Sequence, residues 1–373
     1  MEQHKSDRYT KIVAYSAAFG ACILGLFVMK SLSSEILPVV VAFFLFIFVN
    51  PILSKCDQLR VPKVVSLILS LVIVVAVFFL FAYIFFAMVN TLMTKLPQYV
   101  SKVNALDAFL SDKLRNFFDV ADGQPFSLLS WLNVDWFGII TSFLTSASSK
   151  FVNIIGDCML VFLYLMFIIL ERSTIFPKIV IALPKERGIK LAEMVARMNK
   201  LISKYLSIKV IISGATGVLF YLTAILTGMD FPLVWGVLAF ILNFIPTIGS
   251  IIVTGAAILM AMVQFMPNWN IVVVASAMFV MTQMVLGNII DPKLQGVQLN
   301  ISPLVILVSL ALWGYVWGIL GMFLAVPLTS VLQIICASSE TMKPVAILLS
   351  TGKLQVEEYN KEKKSRKRSN LKA

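Results

Sequence analysis

The segment Asn243-Phe-Ile-Pro246-Thr-Ile-Gly249 interrupts a long apolar block that runs from Pro232 to Phe265. Proline removes a backbone donor and glycine weakens a helix, so the segment predicts a turn between two helices. Hydrocarbon offers no water, so backbone freed at such a turn must be satisfied by protein or by a polar cavity. Interrupted membrane helices are typical of transporter binding sites, and the segment therefore predicts a membrane carrier.

Two similar interruptions follow in the C-terminal third of the chain. The first is Gly287-Asn-Ile-Ile-Asp291-Pro292, which continues to Gly296 and leads to Ser302-Pro303. The second is the glycine- and aromatic-rich stretch Trp313-Gly-Tyr-Val-Trp-Gly318, followed by Gly321. Each is expected to open the backbone to polar partners inside the membrane.

Composition places the whole chain in the membrane class. Of its 373 residues, 59% are hydrophobic and 13% are charged, against about 45–50% and about 25% in soluble domains. The mean hydropathy is +0.92. The four cysteines are scattered and His4 is the single histidine, so we expect no metal site, no disulfide framework and no cofactor.

Hydropathy predicts an all-α, polytopic protein with about eight membrane segments. The predicted single spans are Ile12–Met29, Ile36–Leu53, Val64–Met93, Phe151–Leu170, Ile208–Met229 and Ile271–Ile289, and the longer blocks are Pro232–Phe265 and Ser302–Ile335. We divide the chain into an N-terminal membrane region (1–93), an extracytoplasmic segment (94–150), a span with a cytoplasmic helix (151–207), a transport core (208–337) and a basic tail (338–373).

Charge predicts the topology. The loop 54–62, the segment 171–209 and the tail 361–372 are rich in lysine and arginine, which places all three, and both termini, in the cytoplasm. The segment 94–150 balances its charges and suits the opposite side. We expect the tail to attract anionic lipid and not nucleic acid.

Two segments outside the predicted spans carry apolar residues at helical spacing. The stripe that begins at Tyr99 is expected to pack on protein or a second subunit. The stripe from Leu191 to Tyr205 is expected to lie on the membrane surface.

Parity of the crossings makes the two long blocks hairpins. The first would turn near Pro246–Gly249 and the second near Trp313–Gly318. Their opposite entry sides give the outline of an inverted repeat. Re-entrant hairpins and pairs of full crossings satisfy the same count.

As a set, the motifs quoted above, with Pro292-Lys-Leu-Gln-Gly296 and Ala325-Val-Pro327-Leu, resemble the bacterial autoinducer-2 exporter (permease) family over residues 205–335. The resemblance implies the bacterial inner membrane and efflux of a small polar organic signal in some members. It implies sodium or lithium/proton antiport in others. It also implies a homo-oligomer, with a pentamer as one form.

The candidate substrate-binding or gating residues lie at the backbone interruptions, with the site expected between the two hairpins. Polar, uncharged side chains there can bond a neutral polyol without bringing charge into the bilayer. The candidates are Asn243, Pro246, Gly249, Gln283, Asn288, Ser302, Pro303, Trp313, Gly314, Gly318 and Gly321. For Trp313, Gly314, Gly318 and Gly321, packing and motion are favoured over direct contact; for the turn that contains Gly249, packing and substrate contact both stay open.

Two carboxylates are candidates for ion or proton coupling. Asp157 lies within a predicted span, where a charge is costly unless it is paired or hydrated, and Asp291 precedes Pro292 in a predicted turn. The leading hypothesis is a secondary exporter, and the alternative is a sodium(lithium)/proton antiporter.

Other classes find less support. Histidine is absent from every predicted span, so an intramembrane enzyme would lack a nucleophile–base or metal constellation. A P-loop sequence is also absent, so the chain would not itself bind ATP through that motif. A scaffold that transports nothing would need no polar breaks.

Overall fold

The computed structural model describes residues 16–17, 20–21, 23–114, 136–295, 300–339 and 341–352. Helices dominate these residues, and the β-structure among them is an isolated bridge between Ile301 and Ser350. His4, Cys22, Gly296, residues 340 and 353–373 of the basic tail and residues 115–135 of the predicted extracytoplasmic segment lie outside the described residues. The all-α fold predicted from hydropathy is confirmed for the described part.

Helical residues 23–31 precede eleven α-helices and one π-helical turn in the described chain. The elements are α1 Ser33–Gln58, α2 Lys63–Leu114, α3 Trp136–Glu171, α4 Ile175–Ala182, α5 Lys185–Thr227, α6 Pro232–Leu242, α7 Ile248–Phe265, α8 Trp269–Gln283, the π-turn Met284–Ile290, α9 Asp291–Gln295, α10 Pro303–Ser338 and α11 Lys343–Leu349.

Within the described residues, six helical stretches are long and apolar enough to cross a membrane: Ser33–Gln58, Lys63–Lys95, Lys185–Thr227, Ile248–Phe265, Trp269–Leu294 and Pro303–Ser338. The chain is therefore a multi-pass membrane protein. Three helices run without interruption across the predicted boundaries at residues 93, 150 and 207. The 52 residues of α2 reach about 78 Å, far beyond a ~30 Å hydrocarbon core.

The apolar stripe in the first half of α5 differs from its prediction. Met198, Ile202 and Tyr205 are buried, so this stripe packs within the protein and the predicted membrane-surface position is wrong. The physical reason is that burial in the protein already removes its apolar area from water.

The chain forms two compact units. The first comprises residues 1–51, 160–205 and 297–373, and the second comprises residues 52–159 and 206–296. The core of the second unit joins Phe220 and Ala224 of α5 with residues of α6, α7 and α8.

In the second unit α6 and α7 form a helical hairpin. Its turn, residues 243–247, contacts the middle of α5 through Asn243 and Ser213. Its two outer ends meet near the end of α5, where the Gln264 amide nitrogen donates to the Gly228 carbonyl oxygen at 2.9 Å. The hairpin therefore begins and ends at the same end of α5. The turn lies within the predicted segment.

The predicted break at Gly287 is wrong in form. The chain widens there into a π-turn, in which the Asp291 N–H donates to the Leu286 carbonyl oxygen five residues earlier. The extra residue is accommodated without losing the backbone bond, so the helix continues into α9. Such π-turns occur frequently at functional sites.

In the first unit, α10 reverses direction at Trp317 and Gly318, whose φ angles are −128° and +64°. The Trp313 ring nitrogen donates to the Thr329 hydroxyl at 3.3 Å, which joins the two antiparallel arms. Gly318 occupies the left-handed region that glycine adopts without steric cost. The predicted turn near 313–318 is thus present.

The crossing of α5 and α6 depends on two glycines. A Cβ added to Gly217 would lie 2.7 Å from the Gly236 carbonyl oxygen, and backbone cannot easily yield at such a contact.

Gly217→Ala should therefore destabilise the protein by about 1–3 kcal/mol, because the added methyl group forces the helices apart. Gly214→Ala is the matched control, since nothing lies within 4 Å of its added Cβ. Thermal unfolding in detergent measures both variants. Equal melting temperatures would contradict the close crossing.

Candidate functional site

A cavity of about 520 Å³ lies in the second unit, at the tip of the α6–α7 hairpin. Parts of α5, the hairpin turn, α7, α8 and the π-turn form its walls. The polar and charged residues that line it include Lys209, Asn243, Ser250, Thr254, Gln283 and Asp291. All belong to one unit, so the cavity is built from residues 206–296 alone.

Five of the predicted residues line this cavity, namely Asn243, Pro246, Gln283, Asn288 and Asp291. They come from two separate interruptions of the sequence pattern, which the fold brings together. Asn288 is exposed, so its amide is open to whatever enters the cavity.

Asn243 holds the hairpin tip in place. Its side chain is buried and donates from Nδ2 to the Ser213 hydroxyl at 3.0 Å. The Leu242 carbonyl oxygen, four residues before Pro246, accepts a hydrogen bond from the Ile245 N–H at 2.9 Å, so the Asn243 side chain is not needed there. The amide is thus free to join the turn to α5.

Gln283 presents an unused acceptor to the cavity. Its Nε2 donates to the Ser250 hydroxyl at 2.6 Å, while its buried Oε1 has no hydrogen-bond partner among the residues that the structure describes. Gly287 leaves room for this arrangement, since an added Cβ would lie 2.5 Å from Gln283 Nε2.

Thr254 presents a second unused group. Its hydroxyl is buried and has no hydrogen-bond partner in the described part of the chain, although a helical threonine commonly bonds the carbonyl oxygen four residues earlier. Thr216 on α5 does so, donating to the Ile212 carbonyl oxygen at 2.9 Å. Burying a polar group without a partner costs about 1–3 kcal/mol. A bound polar molecule would recover that free energy at both Thr254 and Gln283.

Lys209 and Asp291 form an ion pair at the cavity wall, with Nζ and Oδ2 separated by 2.9 Å. The Lys209 side chain is 3% exposed and that of Asp291 is 15% exposed. The π-turn ends at Ile290 and places Asp291, the first residue of α9, at this position. Because the two charges compensate each other, this pair adds no net charge to the wall.

The remaining predicted residues lie elsewhere. Asp157 is exposed on α3 and does not line the cavity. Gly249 packs against the Leu242 carbonyl oxygen, which is a structural role. Ser302, Pro303, Trp313, Gly314, Gly318 and Gly321 belong to the first unit.

Within the first unit these residues shape the α10 hairpin. Trp313 is buried, and its ring packs on that of Trp317 with centroids 5.2 Å apart. An added Cβ on Gly314 would meet the Met322 side chain, and one on Gly321 would meet the Trp313 carbonyl oxygen. Packing is therefore the role that the structure gives to Trp313, Gly314 and Gly321.

Sequence reasoning missed Lys209, Ser213, Ser250 and Thr254. Lys209 was counted with the basic cytoplasmic segment because it ends that run of charges. The sequence feature that could have indicated Lys209 is its position at the start of an apolar run, four residues before Ser213. Single hydroxyl residues in apolar helices carry little signal, since most bond their own backbone.

Comparison with known proteins gives consistent results. The sequence model of the AI-2E family transporter matches residues 18–340. A Borreliella burgdorferi protein, whose name assigns transport in general terms, is 34% identical over 71% of each chain. The AI-2 transport protein TqsA of Escherichia coli is 31% identical over 84% of this chain and 89% of its own. A Haemophilus influenzae relative, again named for transport without a substrate, is 29% identical over 88% and 94%.

The ion pair predicts a coupling between two variants. Lys209→Met should destabilise the protein by about 3–5 kcal/mol, because it removes the positive charge that compensates the largely buried Asp291 carboxylate. Adding Asp291→Leu removes that charge, so the double variant should be more stable than Lys209→Met alone. Thermal unfolding of the two single variants and the double variant checks this. Additive losses would show that the two groups do not interact.

Proposed function

The chain belongs to the AI-2E family of transporters, as its motifs predicted, and we propose that it exports a small polar organic molecule. The proposed cargo is an autoinducer-2-like signal, carried across the bacterial inner membrane. The observation that carries the proposal is the cavity at the hairpin tip, in which Thr254 and Gln283 hold buried polar atoms without partners.

The chemistry of the cavity favours a neutral, hydroxylated cargo. Gln283 Oε1 can only accept a hydrogen bond, whereas the Thr254 hydroxyl can donate or accept. A cargo with hydroxyl groups satisfies both. The charges of Lys209 and Asp291 neutralise each other at 2.9 Å, so neither attracts an ionic cargo while the pair is intact.

The depth of the cavity supports a re-entrant hairpin. The 11 residues of α6 extend about 16 Å, roughly half of a hydrocarbon core. Ser213, which binds the tip, lies about four turns or roughly 21 Å before the end of α5 at Thr227. On the topology expected from charge, with both termini in the cytoplasm, the tip then lies inside the membrane and nearer its cytoplasmic side.

The named relative supports the choice of cargo. The Escherichia coli protein is named for AI-2 transport and aligns with most of this chain. Assembly as a homo-oligomer and attraction of anionic lipid by the basic tail are further parts of this proposal.

A second candidate function is sodium or lithium/proton antiport. The observation that favours it is Asp291, a largely buried carboxylate that lines the cavity. Asp157, the stronger candidate from sequence, is exposed and lies outside that cavity. If antiport is the function, Asp291→Asn should abolish pH-dependent exchange in proteoliposomes and Asp157→Asn should not.

Reconstituted transport separates the two candidates. Proteoliposomes are tested with autoinducer-2, sodium and lithium, with and without an imposed proton gradient. The exporter predicts protein-dependent movement of autoinducer-2. Movement of cations alone would contradict it and favour antiport.

Thr254→Val tests the cavity directly. It removes a hydroxyl without a partner, so it should raise stability by about 1 kcal/mol while lowering cargo affinity about five- to tenfold. Melting temperature and the concentration dependence of transport measure the two effects. Thr216→Val is the matched control, because that hydroxyl is already bonded to backbone; it should leave transport unchanged. Equal transport by both variants would contradict a polar cargo at Thr254.

A further inference from the structure

A second polar cluster lies at the opposite end of the α6–α7 hairpin from the cavity, where the hairpin begins. Asp230, in the short connection between α5 and α6, accepts hydrogen bonds from two residues of α2. Lys95 Nζ lies 3.1 Å from Asp230 Oδ1, and the Tyr99 hydroxyl donates to Asp230 Oδ2. Lys95 is the last residue of the candidate span Lys63–Lys95, and Tyr99 lies about one helical turn beyond it.

The same connection is also hydrogen-bonded to the end of α7, where the hairpin ends. The Asp230 N–H donates to Gln264 Oε1 at 2.8 Å, and Gln264 Nε2 donates to the Gly228 carbonyl oxygen at 2.9 Å. The Trp235 ring nitrogen donates to the Asp230 carbonyl oxygen at 3.2 Å. Asp230 therefore joins α2, the start of α6 and the end of α7 in one hydrogen-bond network.

Backbone conformation marks the same position. Phe231 has a φ angle of +60°, in the left-handed region that non-glycine residues rarely adopt. Its ring packs on that of Tyr99, with centroids 5.8 Å apart. The contacts to α2 thus hold a backbone conformation that costs free energy, as is frequent in elements that move.

The electrostatics of the cluster strengthen the contact. Burial and the bond to Asp230 raise the pKa of Tyr99, so its hydroxyl remains a donor. Burial raises the pKa of Asp230, but the hydrogen bonds from Tyr99 and Lys95, together with the positive charges of Lys95 and Lys102, outweigh this effect and leave the pKa below its ordinary value. The carboxylate is therefore ionised at neutral pH.

A second cavity, of about 530 Å³, lies beside this cluster. Thr91 and Lys95 of α2 line one wall, and residues from Ala224 to Val234 line the other. Ala224 itself is fully buried. Separating Lys95 and Tyr99 from Asp230 would move these two walls apart and widen the cavity at the base of the hairpin.

We propose that Asp230, Lys95 and Tyr99 form a gate at this end of the second unit, which must release α2 from the hairpin before cargo can leave. This inference rests on the proposed export function. The hairpin then has a polar region at each end, and the two regions have different roles. The tip holds the cargo and the base controls its exit.

Cysteine accessibility tests the gate. Ala224→Cys is made in a background in which Cys22, Cys56, Cys158 and Cys336 are replaced by alanine. Tyr99→Phe, which keeps the ring but loses the bond to Asp230, should raise the rate of labelling by a membrane-impermeant thiol reagent about tenfold or more. Tyr83→Phe is the matched control, because Tyr83 is on the same helix and 74% exposed; it should leave the rate unchanged.

Lys95 provides an independent comparison if one variant folds poorly. Lys95→Gln should raise labelling as Tyr99→Phe does, and Lys95→Arg should keep the wild-type rate because it retains the charge. The gate variants should also let loaded cargo leak from proteoliposomes without an ion gradient.

The outcomes separate the gate from the proposed function. Labelling that matches Tyr83→Phe in both gate variants overturns the gate. Faster labelling with wild-type cargo retention also overturns it, since the contacts are then structural. If the wild-type protein moves no cargo, the proposed export function is rejected. The labelling rates alone then show whether the contacts of Lys95 and Tyr99 with Asp230 close the cavity.

Discussion

The hydrogen bond from the Asn243 amide to the Ser213 hydroxyl joins the tip of the first hairpin to α5, and the polar cavity depends on it. A turn inside hydrocarbon cannot leave polar backbone groups unsatisfied. Here the Ile245 and Gly249 N–H groups bond to the Leu242 and Ile245 carbonyl oxygens. The turn therefore satisfies several of its backbone groups internally, and the polar side chains around it can bond cargo.

Two local devices complete the cavity. The π-turn at Met284–Ile290 shifts the helix register so that Gln283 and Asp291 both line the cavity. Compensation of Asp291 by Lys209 at 2.9 Å allows charged groups in a largely buried wall. The buried polar groups that find no partner, at Thr254 and Gln283, are then the exceptions in an otherwise satisfied site.

The sequence predicted those features that have a local cause. Proline and glycine revealed the turn at 243–249, and glycine at 318 marked the reversal of α10, because both residues restrict or release the backbone where they stand. Gly287 misled, because a π-turn absorbs an extra residue without breaking the helix. The contacts of Lys95 and Tyr99 with Asp230 join residues 135 and 131 positions apart, and no local pattern indicates such pairs.

Protection of the cavity by cargo tests the central claim most directly. Asn288→Cys places a thiol on the exposed part of the cavity wall. Of the native cysteines only Cys336, which lies in the first unit, is retained, and it serves as an internal control. Autoinducer-2 should slow labelling at position 288 in a concentration-dependent way and leave Cys336 unaffected. Equal labelling of position 288 with and without cargo, in protein that transports it, would contradict a cargo site at the hairpin tip.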